Sequence, residues 1–132
     1  RLTAAKPGIG QRGDFVGLEV NMRPAGGYTP DMMNYAHSID VYQIWADMVT
    51  TDSRIFPSSE KEYCCVYASR RDGRTYIHSH EEILARYGAD MAMCERMPEI
   101  LSGAMGNQFY TAVFKTFEEV EEFNSFVTER AE

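Results

Sequence analysis

The sequence has few cysteines and no long hydrophobic run. Its three cysteines, Cys64, Cys65 and Cys94, lack the Cys-x-x-Cys spacing of a zinc or redox motif. Cys64 and Cys65 would point to opposite faces of a strand, so we expect small buried thiols in a reducing cytoplasm rather than a disulfide framework. No apolar run approaches the roughly 18 residues of a membrane-spanning helix, which predicts a soluble protein without a membrane partner.

Basic residues are scarce relative to acidic ones. The chain has 13 Lys and Arg against 20 Asp and Glu, which gives a formal net charge of −7. Proteins that bind a nucleic-acid backbone do so through clustered Lys and Arg, so the charge argues against a nucleic-acid partner. With 132 residues, of which 44% are hydrophobic, the chain is long enough to bury a core of its own.

A segment near the N-terminus alternates polar and apolar side chains. In the string LEVNMRP, the polar residues Glu19, Asn21 and Arg23 occupy every second position. Residues i, i+2 and i+4 of a strand share one face. The opposite face would be apolar and would consist of Val16, Leu18, Val20 and Met22. We therefore predict a strand over 14–22 with a core side and a polar side.

The three polar side chains suit a magnesium and phosphate site. Mg²⁺ takes oxygen ligands in an octahedron and shares them among one or two carboxylates, water and substrate phosphates. Glu19 offers a charged oxygen and Asn21 a neutral one, while the planar guanidinium of Arg23 suits phosphate oxygens. Any half-exposed strand alternates in the same way, so a plain solvent-exposed face is the alternative interpretation.

The elements after this segment predict an α+β fold in two parts. A glycine-rich turn ends the strand, and Thr29 as N-cap followed by Pro30 predicts a helix that runs to about Val49. This strand-loop-helix unit occupies residues 1–53, and a Ser/Thr/Pro-rich linker opens a second part over 54–132.

The second part is predicted to be a small antiparallel sheet with two helices. Strands are predicted at 62–69, 75–78, 91–97 and 109–115. Ser79 with Glu82 and Thr116 with Glu119 form capping boxes that begin the two helices, the second of which is amphipathic. The string SGAMGNQ, residues 102–108, is predicted to be a loop.

The string LEVNMRPAGGYTPDMMNYA resembles the C-terminal part of ATP-grasp ligases, which include biotin carboxylase, the carbamoyl-phosphate synthase large subunit and D-alanine–D-alanine ligase. The resemblance covers residues 14–45. It implies that Glu19 and Asn21 bind two Mg²⁺ ions with ATP, and that Arg23 is a catalytic residue that contacts phosphate or an acyl phosphate. The implied substrates are ATP, a small carboxylate and an amine or other nucleophile.

Other parts of an ATP-grasp site are not found in the sequence. It lacks a Gly-rich hairpin over the phosphates, a Lys for the adenine side and an acidic strand before Glu19. We therefore expect the C-terminal portion of a longer cytoplasmic ligase, inactive alone and without tightly bound Mg²⁺ or ATP. Residues 1–53 would end the catalytic domain, and residues 54–132 would be a family-variable C-terminal domain.

Two further expectations concern association. A strand over 14–22 without its neighbour invites pairing with a second copy, which predicts a homodimer. The alternative to a ligase fragment is a non-catalytic α+β module for binding or dimerisation.

Weaker candidates are three histidines and two aspartates. His78 and His80 form a His-x-His pattern that could bind a metal, but His80 is predicted in the first turn of a helix and no third ligand is evident. His37 could contact a substrate, and Asp31 and Asp40 could join a catalytic cleft. All three lie on the predicted helix over 29–49, where surface or capping roles also account for them.

Overall fold

The computed structural model describes residues 1–18, 25–52 and 62–131. Within these ranges the chain is α+β, with five helices and one three-stranded antiparallel sheet. The helices are α1 Thr29–His37, α2 Val41–Thr51, α3 His80–Tyr87, α4 Glu99–Met105 and α5 Phe117–Thr128. The strands are β1 Cys64–Arg70, β2 Met91–Arg96 and β3 Gln108–Phe114. Among the described residues, none of the helices combines the length and the apolar character required to span a bilayer.

The sheet has the strand order β1-β3-β2, so the last strand of the chain lies in the middle. β3 pairs antiparallel with both neighbours: Ala68 lies opposite Tyr110 on one side, and Cys94 lies opposite Tyr110 on the other. β1 and β2 therefore run parallel to each other and are joined through α3, with β3 between them. This is a split β-α-β arrangement.

One face of the sheet packs on α3 and α5 and forms the main core. Its buried residues are Ala68, Ile83, Tyr87, Tyr110, Ala112, Phe114, Phe123 and Val127. Phe123 lies among aromatic neighbours, with its ring centroid 5.1 Å from that of Tyr87 and 5.4 Å from that of Phe114. Edge-to-face and tilted aromatic pairs of this kind add to the free energy gained by burying apolar area.

The opposite face of the sheet is covered by α1 and by the end of α4. Tyr67 and Phe109 point to this side, and Tyr28 lies against Phe109 with the ring centroids 4.6 Å apart. The Tyr67 hydroxyl donates to the Met105 carbonyl oxygen over 2.9 Å. The sheet therefore lies between two helical layers, and α1 belongs to the layer away from the main core.

Local signals in the second part of the chain predict its elements well. Both capping boxes are confirmed: Ser79 accepts from the Glu82 N–H, Thr116 accepts from the Glu119 N–H, and each glutamate bonds back to the cap backbone. The small antiparallel sheet is also confirmed, with β1, β2 and β3 within two residues of three predicted strands. Short-range sequence patterns thus predict the positions of the three strands and of the helices α3 and α5.

We expect acid to weaken both capping boxes. Hydrogen bonds from the Thr116 and Ser79 backbone hold the pKa values of Glu119 and Glu82 below their usual range. Such carboxylates stabilise the fold above their unfolded pKa of 4.5, and the contribution is lost as the pH falls through the folded pKa. Urea denaturation should show a free energy of unfolding that falls below pH 4.5, less steeply in Glu119→Gln than in wild type. Glu118→Gln is the matched control, and equal acid sensitivity in both variants would contradict the prediction.

The single helix predicted over 29–49 is wrong, because the chain forms two helices there. α1 ends at His37, and Ser38 adopts a left-handed conformation with φ of 52° and ψ of 44°. α2 begins after Asp40, whose carboxylate accepts from two backbone N–H groups of its first turn. Asp40 is therefore an N-cap, and N-caps lie outside the helical conformation.

Two predictions in the second part of the chain are also wrong. Residues 99–105 form α4 rather than belonging partly to a loop, so three helices rather than two come after the linker in the described chain. The Pro98 carbonyl accepts from the Leu101 and Ser102 N–H groups and so begins this helix. Residues 75–78 contain one isolated bridge, between Tyr76 and Arg130, instead of a strand.

The described part of the predicted N-terminal strand is not a strand. Residues 14–18 pair with no described strand, and Phe15 and Leu18 are 86% and 96% exposed. The predicted apolar core side is therefore wrong for Val16 and Leu18, while Val20 and Met22 lie outside the described residues. A lone strand leaves its N–H and C=O groups unpaired, so alternation alone does not create one.

Candidate functional site

The predicted magnesium ligands lie outside the described residues. Glu19, Asn21 and Arg23 all belong to residues 19–24, so their arrangement around a metal or a phosphate stays a prediction. The description of the chain resumes at residue 25, directly after the motif. Gly27 has a φ of +63°, which favours glycine, and α1 begins two residues later. A glycine-containing turn and a helix, α1, which is shorter than the one predicted, therefore follow the motif.

The two histidines of the His-x-His pattern make separate contacts. His78 stacks on Phe126 with the ring centroids 3.6 Å apart and lies 3.6 Å from the Glu129 carboxylate. His80 is the first residue of α3, and its Nδ1 lies 2.9 Å from the Tyr110 hydroxyl oxygen. Within the described residues no three His, Cys, Asp or Glu side chains are grouped so that they could bind a metal.

The weaker candidates on the first two helices have structural contacts. The Tyr42 hydroxyl donates to the Asp31 carboxylate over 3.2 Å, which ties α1 to α2. Asp40 caps α2. His37 is exposed in the last turn of α1, at the negative end of the helix dipole. The contacts of Asp31 and Asp40 and the exposed position of His37 at a helix end account for the three residues as parts of the helical layer.

The described residues form an open pocket at the end of the sheet, which we call the arginine pocket. It has a volume of about 410 Å³ and is lined by residues of β1, β2, β3, the turn after β1 and the start of α3. Its main charged and aromatic lining residues are Arg70, Arg71, Arg74, Arg96, Tyr76 and Tyr110. Asp72 is the one acidic lining residue, so four arginines leave the lining with three net positive charges.

Arg70 is the buried cation of the arginine pocket and is only 8% exposed. Its Nε donates to the Val127 carbonyl over 2.6 Å, and its Nη1 donates to the His78 carbonyl over 2.7 Å. Its Cζ lies 4.6 Å from the centroid of the Tyr76 ring, a cation–π contact. Nη2 is buried without an acceptor among the described residues. Burial lowers the pKa of Arg70, but an arginine stays charged in proteins.

The other arginines of the pocket are held in different ways. Arg71 donates to carbonyl groups near the end of α4, with 3.0 Å to the Gly103 oxygen. Arg96 forms a bidentate pair with Asp72, and its hydrogen bonds hold the pKa of that carboxyl below its usual range. The Arg74 guanidinium is exposed and has no hydrogen-bond or ion-pair partner within the described ranges.

A second open pocket of about 480 Å³ lies at the C-terminal end of α3 and carries mixed charge. The Tyr87 hydroxyl is buried there without a hydrogen-bond partner among the described residues, and desolvation raises the pKa of Tyr87. Arg86 forms an ion pair with Glu122 in the same wall. The positive and negative charges in the lining of this pocket nearly cancel, so the lining does not favour a ligand of either charge.

The arginine pocket is not evident from the sequence. Three of its arginines surround the Asp72-Gly73 turn and are visible there as a short basic cluster. Arg96 comes from β2, and it joins them because Gln108 of β3 pairs with Arg70 on one side and with Arg96 on the other. Only the strand pairing brings these residues together.

The chain has no match among protein-family models, among curated proteins or among solved structures. The resemblance to ATP-grasp ligases rests on the string LEVNMRPAGGYTPDMMNYA itself.

Proposed function

We propose that the chain is the C-terminal part of an ATP-grasp ligase, similar to carbamoyl-phosphate synthase or biotin carboxylase. The parent enzyme joins a small carboxylate, activated as an acyl phosphate, to an amine or other nucleophile. The observation that carries the proposal is the alternation of Glu19, Asn21 and Arg23 before a glycine-rich turn and a helix. Gly27 with its positive φ and α1 at Thr29–His37 support the second half of that pattern.

Each residue of the motif has a definite role in the proposal. Glu19 and Asn21 hold magnesium through a carboxylate and an amide oxygen, both hard donors that suit the ion. The Arg23 fork binds oxygens of the transferred phosphoryl group or of the acyl phosphate and balances their charge. Glu19 and Asn21 would hold Mg²⁺, which when bound would neutralise charge on the phosphates.

Exposed apolar side chains in the first part of the chain also support a place in a larger protein. Phe15 and Leu18 are almost fully exposed beside the motif. α2 buries none of its residues, and Val49 at its end is 65% exposed. Contiguous exposed apolar surface marks a site of interaction. The remainder of a ligase would cover these side chains.

The same exposed side chains favour one second function, a non-catalytic α+β module that binds a partner or a second copy. In this case the surface of α2 and residues 14–18 form the contact. The polar face at Glu19, Asn21 and Arg23 is then plain surface. The core around Phe123 gives the module a stable base of its own.

The decisive experiment is magnesium-dependent ADP release by the parent enzyme over a panel of carboxylates and amines. Glu19→Gln and Asn21→Ala are each expected to lower turnover by about 10²-fold or more, because they remove a group that positions charge at the phosphates. Glu118→Gln, on the exposed side of α5, is the matched control and should keep wild-type turnover. Circular dichroism should show the same fold in all variants.

Undiminished turnover in both site variants would contradict the ligase assignment of the motif. The second function then gains support if sedimentation of the 132-residue chain shows a mass that rises with concentration. Trp45→Ser with Val49→Ser should abolish that rise if α2 forms the contact.

A further inference from the structure

We propose that the arginine pocket is a binding site for a small molecule that carries a phosphate or carboxylate group. The site uses none of the motif residues Glu19, Asn21 and Arg23, so the inference is independent of the ligase proposal. Guanidinium groups present planar forks that match the oxygens of phosphates and carboxylates. Three net positive charges in the lining stand out in a chain whose net charge is −7.

The strongest observation is the buried, incompletely paired Arg70. A cation removed from water is costly unless charge and hydrogen bonds compensate it. Two carbonyl oxygens and the Tyr76 ring provide part of this compensation. Among the described residues, no carboxylate forms an ion pair with Arg70 and no atom accepts a hydrogen bond from its Nη2. A bound oxyanion supplies the missing negative charge.

The access of a ligand to Arg70 determines how the residue acts. Nη2 is shielded from solvent, so an oxyanion reaches it only when a neighbouring side chain moves aside. Without that movement Arg70 attracts the ligand through its charge across the pocket wall. In that case the ligand contacts Arg74, which is exposed, and the N–H groups of Arg96 that do not bond to Asp72.

The sheet holds the two strand arginines at a fixed separation. Arg70 and Arg96 are both paired with Gln108, so their side chains share one face of the sheet. With neighbouring strands about 4.8 Å apart, their backbones lie roughly 10 Å from each other. Arg74 follows the turn after β1 and adds a third guanidinium beside them. Three donors on two strands and a turn converge on one volume.

The size of the pocket indicates a small ligand. Its volume of about 410 Å³ falls in the range of sites for metabolite-sized molecules. The Tyr76 ring and the Gln108 amide in the lining provide an apolar surface and a neutral polar group beside the cations. An extended polyanion such as a nucleic acid is disfavoured because the protein as a whole is acidic.

The test is an NMR titration of the 132-residue chain with pyrophosphate and, separately, with succinate. We expect saturable amide shifts confined to the turn after β1 and to the ends of β2 and β3. Arg74→Gln and Arg96→Gln should each weaken binding about tenfold, since each removes charged hydrogen bonds. The tighter of the two probes identifies phosphate or carboxylate as the preferred group.

Lys115→Gln is the matched control, because it removes one positive charge outside the arginine pocket. It should leave the dissociation constant unchanged within about twofold. Shifts that do not saturate with either probe would overturn the proposal, as would an equal loss of affinity in Lys115→Gln and Arg74→Gln. Arg74→Lys, which keeps the charge but not the fork, should bind with intermediate affinity.

Discussion

Phe123→Ala is expected to lower the free energy of unfolding by about 3–5 kcal/mol. Phe123 is 0% exposed, and its ring packs against the rings of Tyr87 and Phe114 in the core under the sheet. Truncation removes buried apolar area and leaves a cavity that close-packed neighbours fill only in part. A loss of this size is a large share of the stability of a small domain. Urea denaturation followed by far-ultraviolet circular dichroism measures it.

Phe117→Ala is the matched control, since Phe117 begins the same helix and is 64% exposed. The same chemical truncation should there change the free energy of unfolding by no more than about 0.5 kcal/mol. A similar loss in both variants would show that α5 does not dock on the sheet through Phe123.

The behaviour of α5 shows which parts of the fold can be predicted from the sequence. Thr116 and Glu119 begin the helix through contacts within one turn, and Phe123 and Val127 lie one helical turn apart on its buried side. These signals are local, so they survive without knowledge of the partner surface. The capping box at Ser79 predicts α3 for the same reason.

The wrong predictions of helix ends have two causes. Local signals compete with one another, and contacts between residues distant in sequence decide the outcome. Asp40 could serve as a helix-face charge or as an N-cap, and its hydrogen bonds to the first turn of α2 show that it is a cap. Gly103 and Gly106 both favour a loop, but only Gly106 lies beyond the end of α4. In both cases the residue types indicate that a helix ends nearby but do not show at which residue it ends.

Alternation of polar and apolar residues is the sequence signal that predicts secondary structure least well in this chain. β3 is buried on both faces and shows no such alternation, yet it is a strand because β1 and β2 pair with both of its edges. Residues 14–18 begin the segment that the alternation predicts to be a strand, but they have no paired strand among the described residues, and their apolar side chains are exposed. The candidate motif at Glu19, Asn21 and Arg23 comes next in the sequence and lies outside the described residues.

Gly106→Ala is expected to lower the free energy of unfolding by about 2–6 kcal/mol, from backbone strain and overpacking together. Gly106 has a φ of +90° and a ψ of 172°, a conformation that only glycine adopts readily. An added Cβ would lie 2.6 Å from Ser69 Oγ and 3.1 Å from the Arg70 carbonyl oxygen. The next residue donates its N–H to that same carbonyl over 2.7 Å, so relief of the clash would disturb the start of β3 pairing.

Gly103→Ala separates this effect from a general intolerance of the segment to alanine. Gly103 lies inside α4, and an added Cβ there meets no atom within 4 Å. Because alanine favours the helix, the free energy of unfolding of Gly103→Ala should rise by up to about 1 kcal/mol.

Gly106→Ala should also weaken pyrophosphate binding, because the clash lies where β1 and β3 carry residues of the arginine pocket. An equal free energy of unfolding in Gly103→Ala and Gly106→Ala would mean that the end of α4 does not pack against Ser69. The position of the neighbouring Arg70 in the wall of the arginine pocket would then also be wrong.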